Sequence, residues 1–449
     1  MNRSTATALA TAATRPEPLD PALLRIAGVL VLGAVLAQLD TTIVSVGIGA
    51  VGVGLGWSLA TVQWVATGYL LAVALVAPTA GWLVQRFGGK RMWLLSVAVF
   101  TAASALCGLA WSAGALIAFR VLQGLGGGLM QPIGQTLAAR IAGPARIGRL
   151  IGVITTPVAL APILGPVLGG LIVAGPGWRW LFYVNVPIGI AAFLLAARIV
   201  PGDDAERERT LRVDTPGLFL LPPALAALVY GLSLAGHPGT GPALVPLVAV
   251  AVLALAAYVV HGLRTDRAPL LDLRLFAGRG FTLAAVNTFL IGAALYSAML
   301  LLPLYFVQVQ GMSPLAAGLA LAPQALGMAA AAPWAGRLTD RHGPRAVALG
   351  GALLIVAGTV PFAFAAELPS WPLLIVALFL RGCGLGAVVP PNAAATYTTV
   401  TRAQAAAATG ARTVLNRIGG SIGTAVLAVV LQSGLAAAAA PASRSPRSS

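Results

Sequence analysis

Of the twelve acids in the chain, eleven stand in tails, in loops or at the ends of apolar runs, and Asp40 alone lies deep inside one. Two of the 28 basic residues, Arg120 and Arg381, share that kind of position. An ionised side chain at the centre of a bilayer costs about 2.5–3.5 kcal/mol on insertion scales, so such residues face protein or water and are functional by default. Asp40 stands fifteen residues beyond Arg25, about 22 Å along a helix rising about 1.5 Å per residue. Arg120 stands six residues beyond Gly114 on a segment expected to run the opposite way, about 9 Å below the far face of a core about 30 Å thick. The depths coincide, so Asp40 and Arg120 are expected to pair. Protonation of Asp40 then weakens its attraction to Arg120 and biases two conformations. The alternative is a fixed ion pair that closes the first span on the fourth. Arg381 has no acid at depth in its own half of the chain and receives no role.

Smaller groups recur at helical spacing. Arg120, Gly124, Gly127 and Gln131 share one face, which either lines a cavity or packs closely through its glycines. Ala161, Gly165 and Gly169 fall at every fourth position, Pro162 and Pro166 lie between them, and Gly170 follows. Small residues so spaced let backbones approach, and prolines bend the helix. Gln63, Trp64, Tyr69, Gln123, Gln131, Tyr296, Tyr305 and Asn392 are candidates for a mostly apolar substrate cavity with a few polar groups, against ordinary packing. No nucleotide-binding G-x-x-x-x-G-K-[ST], no H-E-x-x-H and no G-x-S-x-G occurs, which excludes an ATP-driven pump and leaves an enzyme without visible apparatus. Cys107 and Cys383 lie within separate apolar runs, which disfavours a disulfide or a metal site. No cofactor is expected.

These residues need spanning elements to hold them. The chain is 58% hydrophobic and 9% charged over 449 residues, with a mean hydropathy of +0.91, against about 25% charged in soluble domains. A soluble globule is excluded. With about 20 apolar residues per crossing, thirteen spans fit: six before a charged break that begins at residue 201, two more before a second break ending near 280, and five after it. The resulting domains are a tail (1–23), a first helical bundle (24–200), a linker with two inserted spans (201–280), a second bundle (281–435) and a polar tail (436–449). The formal charge of +16 is scattered between apolar runs rather than gathered into a patch, so it reads as topology and not as nucleic-acid binding. With the amino terminus inside, 23 basic residues, Arg412 and Arg417 among them, fall on that side, against Arg179 alone in the outer loops. That bias places the amino terminus in the cytoplasm.

The chain also repeats itself. GWLVQRFGGKR (81–91) matches GRLTDRHGPR (336–345), and QGLGGGLMQP (123–132) matches RGCGLGAVVP (381–390), at offsets of 255 and 258 residues. Ordered parallel repeats mark transporters whose two bundles rock around a midplane site.

On these repeats, and on LDTTIVSV (39–46), QWVATGYLL (63–71), RVLQGLGGG (120–128), APILGPVLGG (161–170), WRWLFYVNVPIG (178–189), PLLDLRLF (269–276) and QGMSPLAAGL (310–319), the sequence resembles the major facilitator superfamily, in particular its fourteen-span drug:proton antiporter branch. The resemblance implies an all-α polytopic fold of two pseudo-symmetric bundles with two extra central helices. It implies proton-coupled export of small organic or drug-like compounds across the bacterial cytoplasmic membrane, with a proton gradient in place of a cofactor. Membrane lipid and the organic substrate are the expected partners. The resemblance assigns proton coupling to the acid of span 1 and the arginine of span 4, here Asp40 and Arg120. It assigns the bundle interface of exporters to the span 5 motif that includes Gly165, Pro166, Gly169 and Gly170. Gly81, Arg86 and Gly88, with Asp340 and Arg341 in the second copy, belong to loops expected either to latch onto neighbouring helix ends or only to anchor topology. The chain departs from the pattern at Gln85, where an acid is usual, at Ala161, where glycine is usual, and after residue 435, where a fourteenth span is expected. The alternatives are a nutrient facilitator or symporter of the same fold, or a truncated remnant that does not transport.

Overall fold

The computed structural model describes residues 20–57, 59–143, 146–202, 214–234, 241–265, 269–312, 314–364, 370–401 and 404–439. Helices and turns account for them, with no strand among the described residues. The first bundle comprises α1 (Pro21–Leu55), α2 (Leu59–Val76), α3 (Ala80–Phe87), α4 (Gly89–Gly108), α5 (Ala113–Ala142), α6 (Ile147–Ala174), the short α7 (Trp180–Tyr183) and α8 (Asn185–Ile199). α9 (Thr215–Leu234) and α10 (Gly241–Arg264) pack on each other. The second bundle holds α11 (Arg279–Leu304), α12 (Pro314–Ala320), α13 (Ala322–His342), α14 (Pro344–Ala363), α15 (Trp371–Thr398) and α16 (Ala405–Ala439). Local chemistry explains the boundaries. Asp20 caps α1 by accepting the Ala22 N–H at 3.1 Å, ahead of Pro21, and the Ser112 hydroxyl caps α5 by accepting the Ala115 N–H at 3.2 Å.

Ten stretches among the described residues are long and apolar enough to cross a membrane. α6, α9 and α16, of 28, 20 and 35 residues, stand at the other three expected positions. The tail 1–19, the charged run 203–213 and residues 440–449 lie outside the described residues.

The internal repeat reappears as repeated geometry. Gly88, between α3 and α4, has φ 95° and ψ 147°, and Gly343, between α13 and α14, has φ 81° and ψ 165°. Only glycine takes that region cheaply, and the two positions are 255 residues apart. The glycines of α5 and α15 agree in the same way. A Cβ on Gly124 would meet the Tyr69 carbonyl oxygen at 2.6 Å, and one on Gly382 would meet the carbonyl of Gln324. A Cβ on Gly126 would meet the Ser96 carbonyl at 2.8 Å, and one on Gly384 the Gly351 carbonyl at 2.6 Å. Each half therefore wedges its fourth span, α5 or α15, between its second and third, α2 and α4 or α13 and α14, by deleting side chains at matched positions.

The halves meet most tightly at the end where Arg86, Arg140, Arg341 and Arg412 lie, called here the basic end. There α3 and α5 pack on α16, and α6 packs on α13 and α15. A Cβ on Gly81 would stand 2.7 Å from the Ala406 carbonyl oxygen, and one on Gly152 would stand 2.6 Å from that of Ala332. Ala139, Ala142 and Leu137 of the first half share one buried cluster with Tyr397, Ala405 and Ala406 of the second. The basic end is closed.

The inserted pair is tied into this end. Asp214, buried, accepts the Gly217 N–H at 3.0 Å and the Leu270 N–H at 3.3 Å, and lies 2.7 Å from His261 Nε2 of α10. The strap that follows, with Leu270, Leu271 and Leu275, packs in one cluster with Ala408, Ala411 and Val414 of α16 and Trp82 of α3.

Candidate functional site

Asp40 is fully buried near the middle of α1, and the hydrogen bonds to its carboxylate come from other helices. Arg120 of α5 donates from its terminal nitrogen to Oδ2 at 2.6 Å. Gln123 Nε2 and Asn185 Nδ2, from α5 and α8, donate to Oδ1 at 2.9 and 2.8 Å. Arg120 has further acceptors: its Nε donates to the Val65 carbonyl at 3.0 Å and the same terminal nitrogen that meets Asp40 donates to Gln123 Oε1 at 2.6 Å. Its guanidinium lies 4.2 Å from the Tyr69 ring centre and 5.8 Å from that of Phe182. Ser104 Oγ accepts from Gln123 Nε2 at 2.6 Å, and the Cys107 thiol lies 3.7 Å from Gln123 Oε1. A charge pair removed from water persists when additional hydrogen bonds support both ions, and here each ion has two such bonds beyond the pair.

The structure thus brings Asp40 and Arg120 together and adds Asn185 and Ser104, to which no role attached in the sequence. Asn185 stood in the sequence only as one residue of WRWLFYVNVPIG (178–189), an amide inside an apolar run. Gln123 and Asn392 depart from the expected cavity wall. Gln123 is buried inside the first bundle as a bridge between Asp40 and Arg120. Asn392, 3% exposed, accepts from Asn287 at 3.1 Å and donates to Thr288 Oγ1 at 2.7 Å within the second bundle. Gly124 and Gly127 serve close packing against α2 and Phe100 rather than a cavity. Tyr69 is buried with its ring on Arg120, while Gln63 and Gln131 are exposed. Trp64, 43% exposed, lies 5.7 Å from the Tyr230 ring of α9, which joins the inserted pair to α2. Tyr305 is half-buried and accepts from Gln310 Nε2 at 2.8 Å.

The span 5 glycines face α1: the Thr42 hydroxyl donates to the Ala161 carbonyl at 3.4 Å, and a Cβ on Gly165 would overlap the Thr42 side chain. Gly169 is buried and Gly170 exposed. The opposite contact of α6, through Gly152 and Thr156, reaches α13 of the other half, with the Thr156 hydroxyl donating to the Ala329 carbonyl at 3.3 Å. Gly81 and Gly88 stand at the closed basic end, Arg86 lies 5.9 Å from the Phe87 ring, and Arg341 is exposed in the last turn of α13. The side chains of Pro166 and Asp340 lie outside the described residues.

Two arginines of the second half complete the inventory. Arg381, 4% exposed, donates to Gln324 Oε1 at 2.5 Å and to the Ala294 carbonyl at 3.1 Å, both neutral acceptors. Arg417 corrects the sequence reading. Counted there among the basic residues of the inner loops, it lies twelve residues inside α16, partly buried, with its guanidinium 5.6 Å from the Tyr296 ring centre. The helix begins eight residues earlier than the apolar run from 413, because alanines extend it past the hydrophobic boundary.

Comparison with known proteins agrees with this geometry. The family model described as Major Facilitator Superfamily matches residues 30–424. The chain belongs to the Major Facilitator Superfamily. It is accordingly a multi-pass membrane transporter and not an enzyme. A multidrug resistance protein B homolog of Mycobacterium tuberculosis is 40% identical over 421 residues, covering 93% of this chain and 77% of that protein. The tetracenomycin C resistance and export protein of Streptomyces glaucescens is 35% identical over 415 residues, covering 92% and 76%. Among solved structures, the human organic anion transporter MFSD10 superposes with a TM-score of 0.66 at 18% identity over 91% of this chain and 94% of that one. The proton:xylose symporter XylE gives 0.59 at 14% identity over 91% and 88%. At such identities these two share the superfamily fold alone.

Proposed function

We propose that this transporter exports small drug-like organic compounds across the bacterial cytoplasmic membrane in exchange for protons, by alternating access. The amino terminus and the basic end face the cytoplasm in this reading, and the conformation closed at that end is the one that releases cargo outward. The substrate and the surrounding lipid are its partners, and the proton gradient replaces any cofactor. The relatives named for multidrug resistance and tetracenomycin export support the direction and the class of cargo.

The observation that carries the coupling is the Asp40 network. Neutralising Asp40 leaves the buried Arg120 guanidinium without its counter-charge, at a cost of about 3–5 kcal/mol to this packing, while Arg120 keeps the Val65 carbonyl and Gln123 Oε1, and Gln123 and Asn185 keep a carboxyl oxygen to donate to. Protonation therefore destabilises the packing of α1 on α5 chiefly through an uncompensated charge on Arg120, which is the bias toward a second packing that a proton handle needs. Each proton returning through 100 mV supplies about 2.3 kcal/mol, enough to bias two packings that differ by a few kcal/mol. Everted vesicles carrying the wild-type chain are expected to accumulate ethidium when a proton gradient is imposed, and Asp40→Asn is expected to abolish that accumulation. Gradient-driven uptake that survives in Asp40→Asn removes the proposal.

A further inference from the structure

Arg417 is a cation in the membrane interior that the ion-pair network does not use. No carboxylate pairs with it among the described residues. Its position is built rather than incidental. Asn416, next to it, donates to the Thr288 carbonyl at 3.5 Å, and Gly420 lies where a Cβ would overlap the Tyr296 ring. The Tyr296 ring thus approaches α16 closely because Gly420 has no side chain, and the Arg417 guanidinium lies 5.6 Å from the ring centre. Gly410, two turns below on the same stripe of α16, faces Pro78 of the first half at 3.8 Å. The stripe carrying Arg417 is therefore the one turned toward the other bundle. Arg417, with the Tyr296 ring of α11 beside it, thus stands on the stripe of α16 that reaches the first half at Gly410.

A partly buried guanidinium without a carboxylate is costly in the membrane interior unless something anionic visits it. Guanidinium is also the group best shaped to take a planar oxyanion while its face and the neighbouring phenol ring receive an aromatic body. We infer that Arg417, with Tyr296, forms the subsite for the anionic group of an aromatic organic anion, a carboxylate, sulfonate or phenolate, carried as cargo between the two bundles. This rests on the export reading above and adds the charge of the substrate to it.

The test compares two dyes in everted vesicles under a proton gradient: 8-anilinonaphthalene-1-sulfonate, an aromatic monoanion, and ethidium, an aromatic monocation. The wild type is expected to move both, Arg417→Gln to lower the anion-to-cation uptake ratio about tenfold or more, the scale of a lost charge-assisted hydrogen bond, and Arg417→Lys to retain most of the ratio. In the purified wild-type protein, the sulfonate dye and not ethidium should slow phenylglyoxal modification of Arg417, read by mass spectrometry, which does not depend on any variant folding. Ethidium transport without transport of the anion, an equal fall for both dyes, or equal protection by both overturns the Arg417 assignment alone. Transport of neither dye overturns the export reading and this inference with it.

Discussion

At the scale of single residues, the first bundle concentrates its chemistry on one carboxylate with three donors from two other helices. Removing one member of a buried ion pair leaves the other uncompensated, at a cost of about 3–5 kcal/mol. Arg120→Ala should therefore lower the thermal midpoint in detergent sharply, and the double variant Asp40→Asn/Arg120→Gln should recover part of the loss because neither charge is stranded. A double variant no more stable than Arg120→Ala would count against a paired, buried charge. Asp40 and Arg120 were legible in the sequence because a charge inside an apolar run has few explanations and helix rise converts residue count into depth. Asn185 and Ser104 were not, since an amide or hydroxyl in a span is common and only the approach of α8 and α4 to α1 and α5 gives these two a partner. Arg417 was misplaced for a different reason: it stands four residues inside the apolar run that begins at 413, and hydropathy does not fix a boundary that closely, so it was counted with the loop before the run.

At the scale of elements, missing side chains matter as much as present ones. Gly88 and Gly343 hold the same backbone conformation at the same turn of each half. Alanine at either should cost about 1–3 kcal/mol, so Gly88→Ala and Gly343→Ala are expected to lower the thermal midpoint by similar amounts; a large drop at one and none at the other would contradict the duplication of this turn. Gly81 acts between halves. A valine there must push against the Ala406 carbonyl, a backbone atom that cannot rotate away. Gly81→Val should shift the population toward a basic end that is open, seen as faster labelling by an impermeant maleimide of a cysteine introduced at Ala139, which is buried in the closed cluster. The spacing of small residues was visible in the sequence, yet which helix each would admit was not. Gly152 faces the second half whereas Gly165, on the same helix, faces α1.

For the whole molecule, two bundles of common design are joined by an inserted helix pair that is not a passive spacer. α9 packs on α2 and α16, and the strap after α10 lies in the same cluster as Trp82 of α3. The insertion thus touches both sides of the closed basic end. Motion of that end is testable by restraint: with Cys107 and Cys383 replaced by alanine, Pro78→Cys and Gly410→Cys, whose positions lie across the closed interface, should form a disulfide on oxidation that stops transport and releases it on reduction. Full transport in the oxidised state would show that this interface does not open.

Composition, periodicity and the two repeat offsets determined by themselves that the chain crosses a membrane many times, that it is a duplicated structure, and that one acid lies at depth. Those properties are local or translational, because hydropathy is read along a helix axis and a repeat is a comparison of the chain with itself. Tertiary structure decided the rest: which helices meet at Asp40, that Gln123 and Asn392 turn into their bundles, that Arg417 lies over Tyr296 inside a helix, and that the basic end is the closed one. A helix has several faces of similar polarity in an apolar solvent, so its rotation and its neighbours are set by steric fit between helices, which hydropathy does not encode.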